Sequence, residues 1–275
     1  AVVIKPDGED SWLSNLQFTD PGSLTSDEVI EKVRQAGVVG MGGAAFPAHV
    51  KMSPPPEKPI RTLLFNGVEC EPYLTSDHRM MLEEPERVLQ GVSLLQYVYG
   101  AERVVIGIEA NKPDAIALLQ KQCANTPVEV LPLQVKYPQG AEKQLITAAT
   151  GREVPSGGLP MDVGVAVHNV STAAAVADAV MLGRPLIERV CTVTGPAIKE
   201  PKNLRVRIGM PLSHLVEVCG GLIEEPGKII LGGPMMGFAQ LGFDVPVVRG
   251  TSGLLLLREE DVTNNPEGPC IRCAR

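Results

Sequence analysis

Long apolar runs are missing from this chain of 275 residues: its longest leucine stretch covers only residues 254–257, far below the ~18 consecutive apolar residues that a membrane-crossing helix needs. The chain itself is therefore not expected to span a bilayer. Positive charge is also short, with 25 Lys+Arg against 32 Asp+Glu and a formal net charge of -7. Neutralising a phosphate backbone takes clustered Lys and Arg, and no long basic run is present, so nucleic acid is excluded as a partner. The densest basic stretch, Lys199, Lys202, Arg205 and Arg207, reads as a solvated hairpin.

Aromatic residues make up only 4% of the chain, while Gly 28 and Pro 24 are plentiful. With 44% hydrophobic and 21% charged residues, this is the composition of a loop-rich globular α/β chain and not of a disordered one. The length allows one large or two medium domains. Of the six cysteines, Cys70, Cys123, Cys191 and Cys219 are dispersed. A chain of this size builds a core without disulfide staples, which favours a reducing compartment. No charged-then-apolar leader opens the chain. It begins with Ala and carries a Cys-x-x-Cys just before its last residues, so both ends are expected to be cuts through a longer protein.

Hydrolase and nucleotide motifs fail on geometry. Gly227-Lys228 resembles the end of a phosphate-binding P-loop, but Leu222 and Ile229 stand where that motif needs Gly and Ser or Thr. There is no His-Glu-x-x-His, and Ser252 lacks the spacing of a nucleophile elbow. Gly40-Met41-Gly42-Gly43-Ala44-Ala45 nominally fits Gly-x-Gly-x-x-Ala, but it follows a helix instead of a strand, which rejects a standard dinucleotide loop.

What is present is a regular alternation. Thr25 and Glu28 form a capping box for a helix that stops at Gly37. Strands are expected at 60–66, 103–108, 128–135 and 163–167, and helices at 85–99, 113–123, 141–150 and 172–182. Strands alternating with helices predict a parallel three-layer α/β domain whose ligands sit at the strand C-termini. After Arg184-Pro185 the texture changes to strands at 189–194, 204–208, 228–231 and 253–257 around a helix at 212–218, a small α+β module with its boundary near residue 186. Ser53-Pro54-Pro55-Pro56 reads as a stiff surface loop.

Several motifs fall at the expected crevice. Gly40, Gly42 and Gly43 permit positive φ and close backbone approach, so their loop is either a tight structural turn or an anion-binding nest with Lys51 nearby. Asn66-Gly67-Val68-Glu69-Cys70-Glu71-Pro72 ends the first strand; if extended, it points Glu69 and Glu71 the same way, as a wall of two carboxylates or as a plain acidic turn. Tyr137 to Lys143, with Gly140 and Glu142, opens a helix whose free N–H groups favour an anion. His168-Asn169-Val170-Ser171-Thr172 adds polar groups at another strand-to-helix junction, where the His reads first as a structural hydrogen-bonding residue. Cys270-Ile271-Arg272-Cys273 fits a zinc knot, a redox pair or the start of an iron–sulfur ligand run, and two thiolates alone hold no cluster.

Gly37 to Pro47 with Lys51, Asn66 to Pro72, and Tyr137 to Leu145 together resemble RnfC, a member of the Rnf type of ion-translocating electron-transport complexes. Val193-Thr194-Gly195-Pro196-Ala197, Gly232-Gly233-Pro234-Met235-Met236-Gly237 and the cysteine pair continue the resemblance in order over nearly the whole chain. The RnfC family is in turn similar to the flavin-bearing, NADH-oxidising subunit of respiratory complex I. The resemblance implies an N-terminal extension over 1–24 and a Rossmann-like parallel-sheet FMN/NADH-binding domain over 25–186. It then implies a small α+β β-grasp (SLBB) module over 187–258 and, over 259–275, a linker and the start of a truncated ferredoxin-type domain. A family N-terminal biotinyl-like region is expected to be absent.

Cofactors implied by the resemblance are FMN, NADH and, in the full-length protein, 4Fe-4S clusters. Partners implied are the other subunits of a membrane electron-transport complex, which would hold the chain peripherally at the cytoplasmic face of the bacterial inner membrane. Carried over by position, Gly40, Gly42, Gly43 and Lys51 match the flavin loop and its phosphate-side lysine; Asn66, Glu69 and Glu71 match the flavin and nicotinamide wall. Gly140 and Glu142 match the second flavin loop, Asn169 and Thr172 the phosphate-side turn, and Cys270 and Cys273 the first cluster ligands. Val68, Ala141 and His168 depart from the complex I pattern, and the aromatics that stack nicotinamide there have no match, so NADH binding rests on fewer matched residues than FMN binding. The implied activity passes electrons between NADH, FMN and iron–sulfur clusters without a side-chain nucleophile. Two other settings are a soluble flavin/iron–sulfur reductase of the cobalamin-reductase type and a non-catalytic docking scaffold.

Overall fold

The computed structural model describes residues 18–262 continuously and, outside that span, residues 5, 7–9, 11, 12, 16 and 268. The capping box forms: Thr25 Oγ1 accepts the Glu28 N–H (3.4 Å) and the Glu28 carboxylate accepts the Thr25 N–H (2.8 Å), starting α1 (Ser26–Gln35). A glycine-rich loop and a single turn, α2 (Ala48–Lys51), lead into β1 (Thr62–Asn66). Then α3 (Ser76–Glu83) and α4 (Pro85–Tyr99) precede β2 (Arg103–Glu109), and α5 (Pro113–Cys123) precedes β3 (Val128–Leu133). Last in this module come α6 (Glu142–Thr150), β4 (Val165–Asn169) and α7 (Val170–Met181).

The four strands pair in parallel in the order β3-β2-β1-β4. Period-two alternation splits their apolar residues between faces. Leu63 and Phe65 of β1 and Val104, Ile106 and Ile108 of β2 join the core built with α1, α4, α5 and α7, whereas Leu64, Val105 and Val167 pack with Leu145, Ile146 and Ala149 of α6. The strand order advances from β1 to β3 and then returns to set β4 on the other side of β1. Right-handed crossovers place the connecting helices on one face during the advance and on the opposite face during the return, which is why α6 covers the second face. Such a reversal opens a crevice beyond the C-termini of the two strands that flank it. Those strands are β1 and β4, and their last residues, Asn66 and Asn169, are register partners.

The second module is a five-stranded mixed sheet, β6-β5-β9-β7-β8, formed by β5 (Glu188–Thr194), β6 (Lys202–Arg207), β7 (Lys228–Leu231), β8 (Phe238–Gln240) and β9 (Gly253–Leu257). β5 and β9 run parallel at its centre and the other pairs are antiparallel. Cys191, Val193, Leu254 and Leu256 bury one face against Leu212, Leu215 and Val216 of α8 (Leu212–Val218).

Three expectations shift. The strand expected at 163–167 begins and ends two residues later, because Pro160–Val163 is a 3-10 turn closed by Gly164 in the left-handed region (φ 69°). The strand expected to reach 135 ends at Leu133. Helix α3 has no counterpart among the expected elements; it is only 8 residues long and opens on Ser76-Asp77-His78-Arg79, too polar and short for a periodic signal.

Candidate functional site

A cavity of about 790 Å³ lies at the C-terminal ends of β1 and β4, a size typical of small-molecule sites. One wall is the glycine loop after α1. It closes on itself through Gly40 N–H, which donates to the Phe46 carbonyl (2.8 Å), and Met41 N–H donates to the buried Thr172 hydroxyl at the start of α7 (2.8 Å). Of the three glycines expected to need positive φ, only Gly43 adopts it (φ 120°), and Ala45 shares the strain (φ 51°). Gly42 is required for proximity: a Cβ there would stand 3.4 Å from Asn169 Cβ. Neither Gly42 nor Gly43 N–H has a hydrogen-bond partner among the described residues.

The segment after β1 is not extended, which corrects the picture of two carboxylates side by side on a strand. Asn66 Oδ1 accepts the Val68 N–H (3.1 Å), ending the strand, and Glu69 sits in the left-handed region (φ 47°). Glu69 and Glu71 still line the cavity, but they turn to different partners. Glu69 accepts the N–H groups of Asp77 (2.7 Å) and His78 (2.9 Å) and so caps α3 from outside the helix. Glu71 Oε1 accepts the N–H groups of Met235 (2.8 Å) and Met236 (3.0 Å) in the second module. Gly233 makes this possible, because a Cβ there would lie 2.1 Å from Glu71 Cγ.

Asn66 Nδ2 donates to the Gly140 carbonyl (2.8 Å), and Gly140 N–H donates to Cys70 Sγ (3.2 Å), so the loop before α6 is drawn over the end of β1. Asn169 caps α7 through Oδ1, accepting from Ser171 N–H (2.8 Å) and Thr172 N–H (3.2 Å). Its Nδ2 donates to Asp77 (2.6 Å), which also accepts the Ser171 hydroxyl (2.5 Å).

The cavity thus brings together Gly42, Gly43, Asn66, Glu69, Glu71, Gly140 and Asn169. Gly40, Lys51, Glu142 and Thr172 are not among its lining residues. Gly40 and Thr172 brace the glycine loop from behind. Lys51 Nζ binds Glu142 Oε1 (3.0 Å) and the Val167 carbonyl (2.9 Å), tying α2, α6 and β4 together. Cys270 and Cys273 lie outside the described residues, and among the described ones no group of three His, Cys, Asp or Glu could hold a metal.

Burial sets the electrostatics. The Glu69 carboxyl is pushed up to about 7, first by desolvation and then by the charge of Asp77, against the pull of the two N–H donors. Asp77 is likewise raised by burial, opposed by its Ser171 and Asn169 hydrogen bonds. His168 is buried beneath the site and pulled down to about 3 by desolvation. The Tyr99 hydroxyl donates to the Lys51 carbonyl (2.8 Å), which leaves its oxygen to accept from Nε2–H of neutral His168 (2.9 Å). This His is a structural link and does not face the cavity.

Sequence reasoning missed Asp77, Arg249, Met236 and Phe238, all of which line the cavity. Asp77 could have been found from Thr75-Ser76-Asp77, an N-terminal helix signal before Met80 and Met81. The others belong to the second module and carry no local mark. Phe238, 74% exposed, and Tyr137, 45% exposed, supply aromatic surface at the cavity edge.

Comparison with known proteins identifies two domain families in order: the Nuo51 FMN-binding domain matches residues 33–178 and the SLBB domain residues 190–239. The chain is 51% identical to a subunit of the proton-translocating ferredoxin:NAD(+) oxidoreductase complex of Clostridium ljungdahlii, covering 100% of this chain and 60% of that protein. It is 47% identical to the Na(+)-translocating counterpart of Acetobacterium woodii, covering 100% of this chain and 62% of the relative. It is 44% identical to the corresponding subunit of the ion-translocating oxidoreductase complex of Rhodobacter capsulatus, covering 100% of this chain and 53% of the relative. The chain therefore spans 53% to 62% of the length of these relatives. Among solved structures, a chain of an NAD+-reducing NiFe-hydrogenase in the H2-reduced state shares the fold, with a TM-score of 0.69 and 21% identity over 86% of this chain and 47% of that one.

Proposed function

The chain belongs to the Nuo51 FMN-binding family through residues 33–178, and from that premise we propose that its crevice holds FMN and exchanges electrons with a nicotinamide nucleotide, as part of a membrane-bound, ion-translocating oxidoreductase. One observation carries the reading. The unpartnered Gly42 and Gly43 N–H groups stand beside the Asn66–Asn169 pair at the strand-order reversal, where a Cβ on Gly42 would fill part of the space. Donors without acceptors at such a crevice fit an anionic, flat ligand. The relatives that match over the whole chain are named as subunits of ferredoxin:NAD(+) and ion-translocating oxidoreductases, which favours this setting over a free-standing reductase or an empty docking scaffold.

Bound FMN supplies the conversion between two-electron hydride chemistry and one-electron transfer; the protein supplies position and field. Asn66 and Asn169 fix the two walls relative to each other. Thr172 holds the glycine loop, and Gly140 brings the loop before α6 onto the site. The ion pair of Lys51 and Glu142 sets the spacing of the helices behind it. Glu69 carries a proton that exchanges near neutral pH and so makes the charge of the nicotinamide side of the crevice pH-dependent. Met236, Phe238 and Tyr137 offer apolar surface for a ring.

Cys270 and Cys273 are proposed as the first thiolates of a 4Fe-4S cluster in the longer protein. No helix among the described residues is long and apolar enough to cross a membrane, and we propose peripheral attachment at the cytoplasmic face through partner subunits. The direct test is flavin retention. Protein mixed with FMN and desalted is expected to keep visible flavin absorbance at one flavin per chain; a colourless eluate overturns the assignment.

A further inference from the structure

We propose that the β-grasp module is part of the nucleotide site and that its Arg249, together with the Gly42 and Gly43 N–H groups, binds a phosphate of the nucleotide. The inference rests on the FMN reading above and extends it to the second module, which lies beyond the FMN-domain match at 33–178. Arg249 is the one cation among the described residues that line the cavity. The crevice carboxylates do not neutralise it, because each is already satisfied: Glu71 by Met235 and Met236 N–H, Glu69 by Asp77 and His78 N–H, and Asp77 by Ser171 and Asn169. The side chain of Arg249 makes a single hydrogen bond among the described residues, from Nη1 to the Gly37 carbonyl (2.7 Å). A guanidinium carries five N–H donors in a planar fork, which leaves most of them available to an oxyanion.

Its position is built, not incidental. Arg189, 4% exposed, donates from Nη1 to the Arg249 carbonyl (2.5 Å) and from Nη2 to the Met41 carbonyl (3.2 Å). One buried guanidinium thus grips both the glycine loop of the first module and the loop that carries Arg249. The two loops also touch directly: a Cβ on Gly250 would lie 3.3 Å from the Gly43 carbonyl and 3.4 Å from Ala45 Cβ. Gly250 N–H, like those of Gly42 and Gly43, has no partner among the described residues. Arginine beside a row of unpaired glycine N–H groups is a phosphate-binding chemistry, and the phosphate is either the monoester of FMN or the diphosphate of NADH.

Titrations of the full chain and of Arg249→Ala with FMN, riboflavin and ADP-ribose separate these sources. A loss of roughly 10- to 100-fold in FMN affinity with riboflavin binding unchanged assigns the monoester. A similar loss for ADP-ribose with FMN binding unchanged assigns the diphosphate, and a loss of both supports a shared site. Unchanged affinity for both phosphate-bearing probes overturns the inference while leaving the FMN reading intact. Failure of the unsubstituted chain to bind either probe overturns the FMN reading and this inference with it. Should Arg249→Ala fail to fold, Arg249→Gln keeps a donor for the Gly37 carbonyl without the charge and is expected to show the same loss.

Discussion

At the scale of single residues, burial decides which titratable groups take part. His168 sits between Phe65 and Tyr99, and desolvation holds its ring neutral down to about 3. Below the ordinary histidine value of 6.5 the unfolded chain takes up a proton that the folded chain refuses. Its contribution to stability is therefore complete above that value and falls as the pH drops from 6.5 towards 3. His168→Gln, which can still donate to Tyr99, is expected to flatten the acid-side loss of stability in urea unfolding measured between about pH 7 and pH 5. An unchanged slope would show that other groups govern it. Asn66 and Asn169 were legible because they close predicted strands. The difference between Lys51 and Arg249 was not: both are cations near glycines in the sequence, and only packing shows that one meets a carboxylate and the other an open crevice.

At the scale of elements, caps and periodicity explain what could be foreseen. The Thr25 box, the Gly100 and Gly151 stops and the alternation in β1 and β2 are local, so α1, α4, α6 and the parallel strands could be read directly. Helix α3 could not, since its N-terminus is held by Glu69, outside the helix, and its apolar stripe is short. The charged cap acts on exposed donors at the positive end of the helix dipole. Glu69→Gln removes the charge and one acceptor, with an expected cost of about 1 kcal/mol and a thermal midpoint about 2–4 °C lower. A melting curve that matches the parent would assign Glu69 to nucleotide handling alone.

At the scale of the whole molecule, the crevice is a product of two modules. Arg189 donates to carbonyls of both loops and Glu71 accepts from Met235 and Met236, so the modules are fastened at two edges of the cavity. Arg189→Met keeps the volume of the side chain but strands the Met41 and Arg249 carbonyls in a buried setting. The expected loss is roughly 2–4 kcal/mol in chemical unfolding, with weaker flavin retention at temperatures where the variant is still folded. Loss of stability with full flavin retention would separate the clamp from the site.

The sequence by itself determined the alternation of strands and helices, the parallel sheet, the change of texture near residue 186 and the glycine and asparagine positions of the first wall. These follow from hydrophobic period, caps and turn residues, which act over a few positions along the chain. Only the tertiary structure decided that Glu69 caps a helix, that Glu71 holds a loop of the second module, and that Arg249 stands beside Gly37 across 212 residues of sequence. Those pairings depend on how the two sheets dock, and docking is set by the packing of whole faces and a few buried polar clamps, which leave no periodic trace in the order of residues.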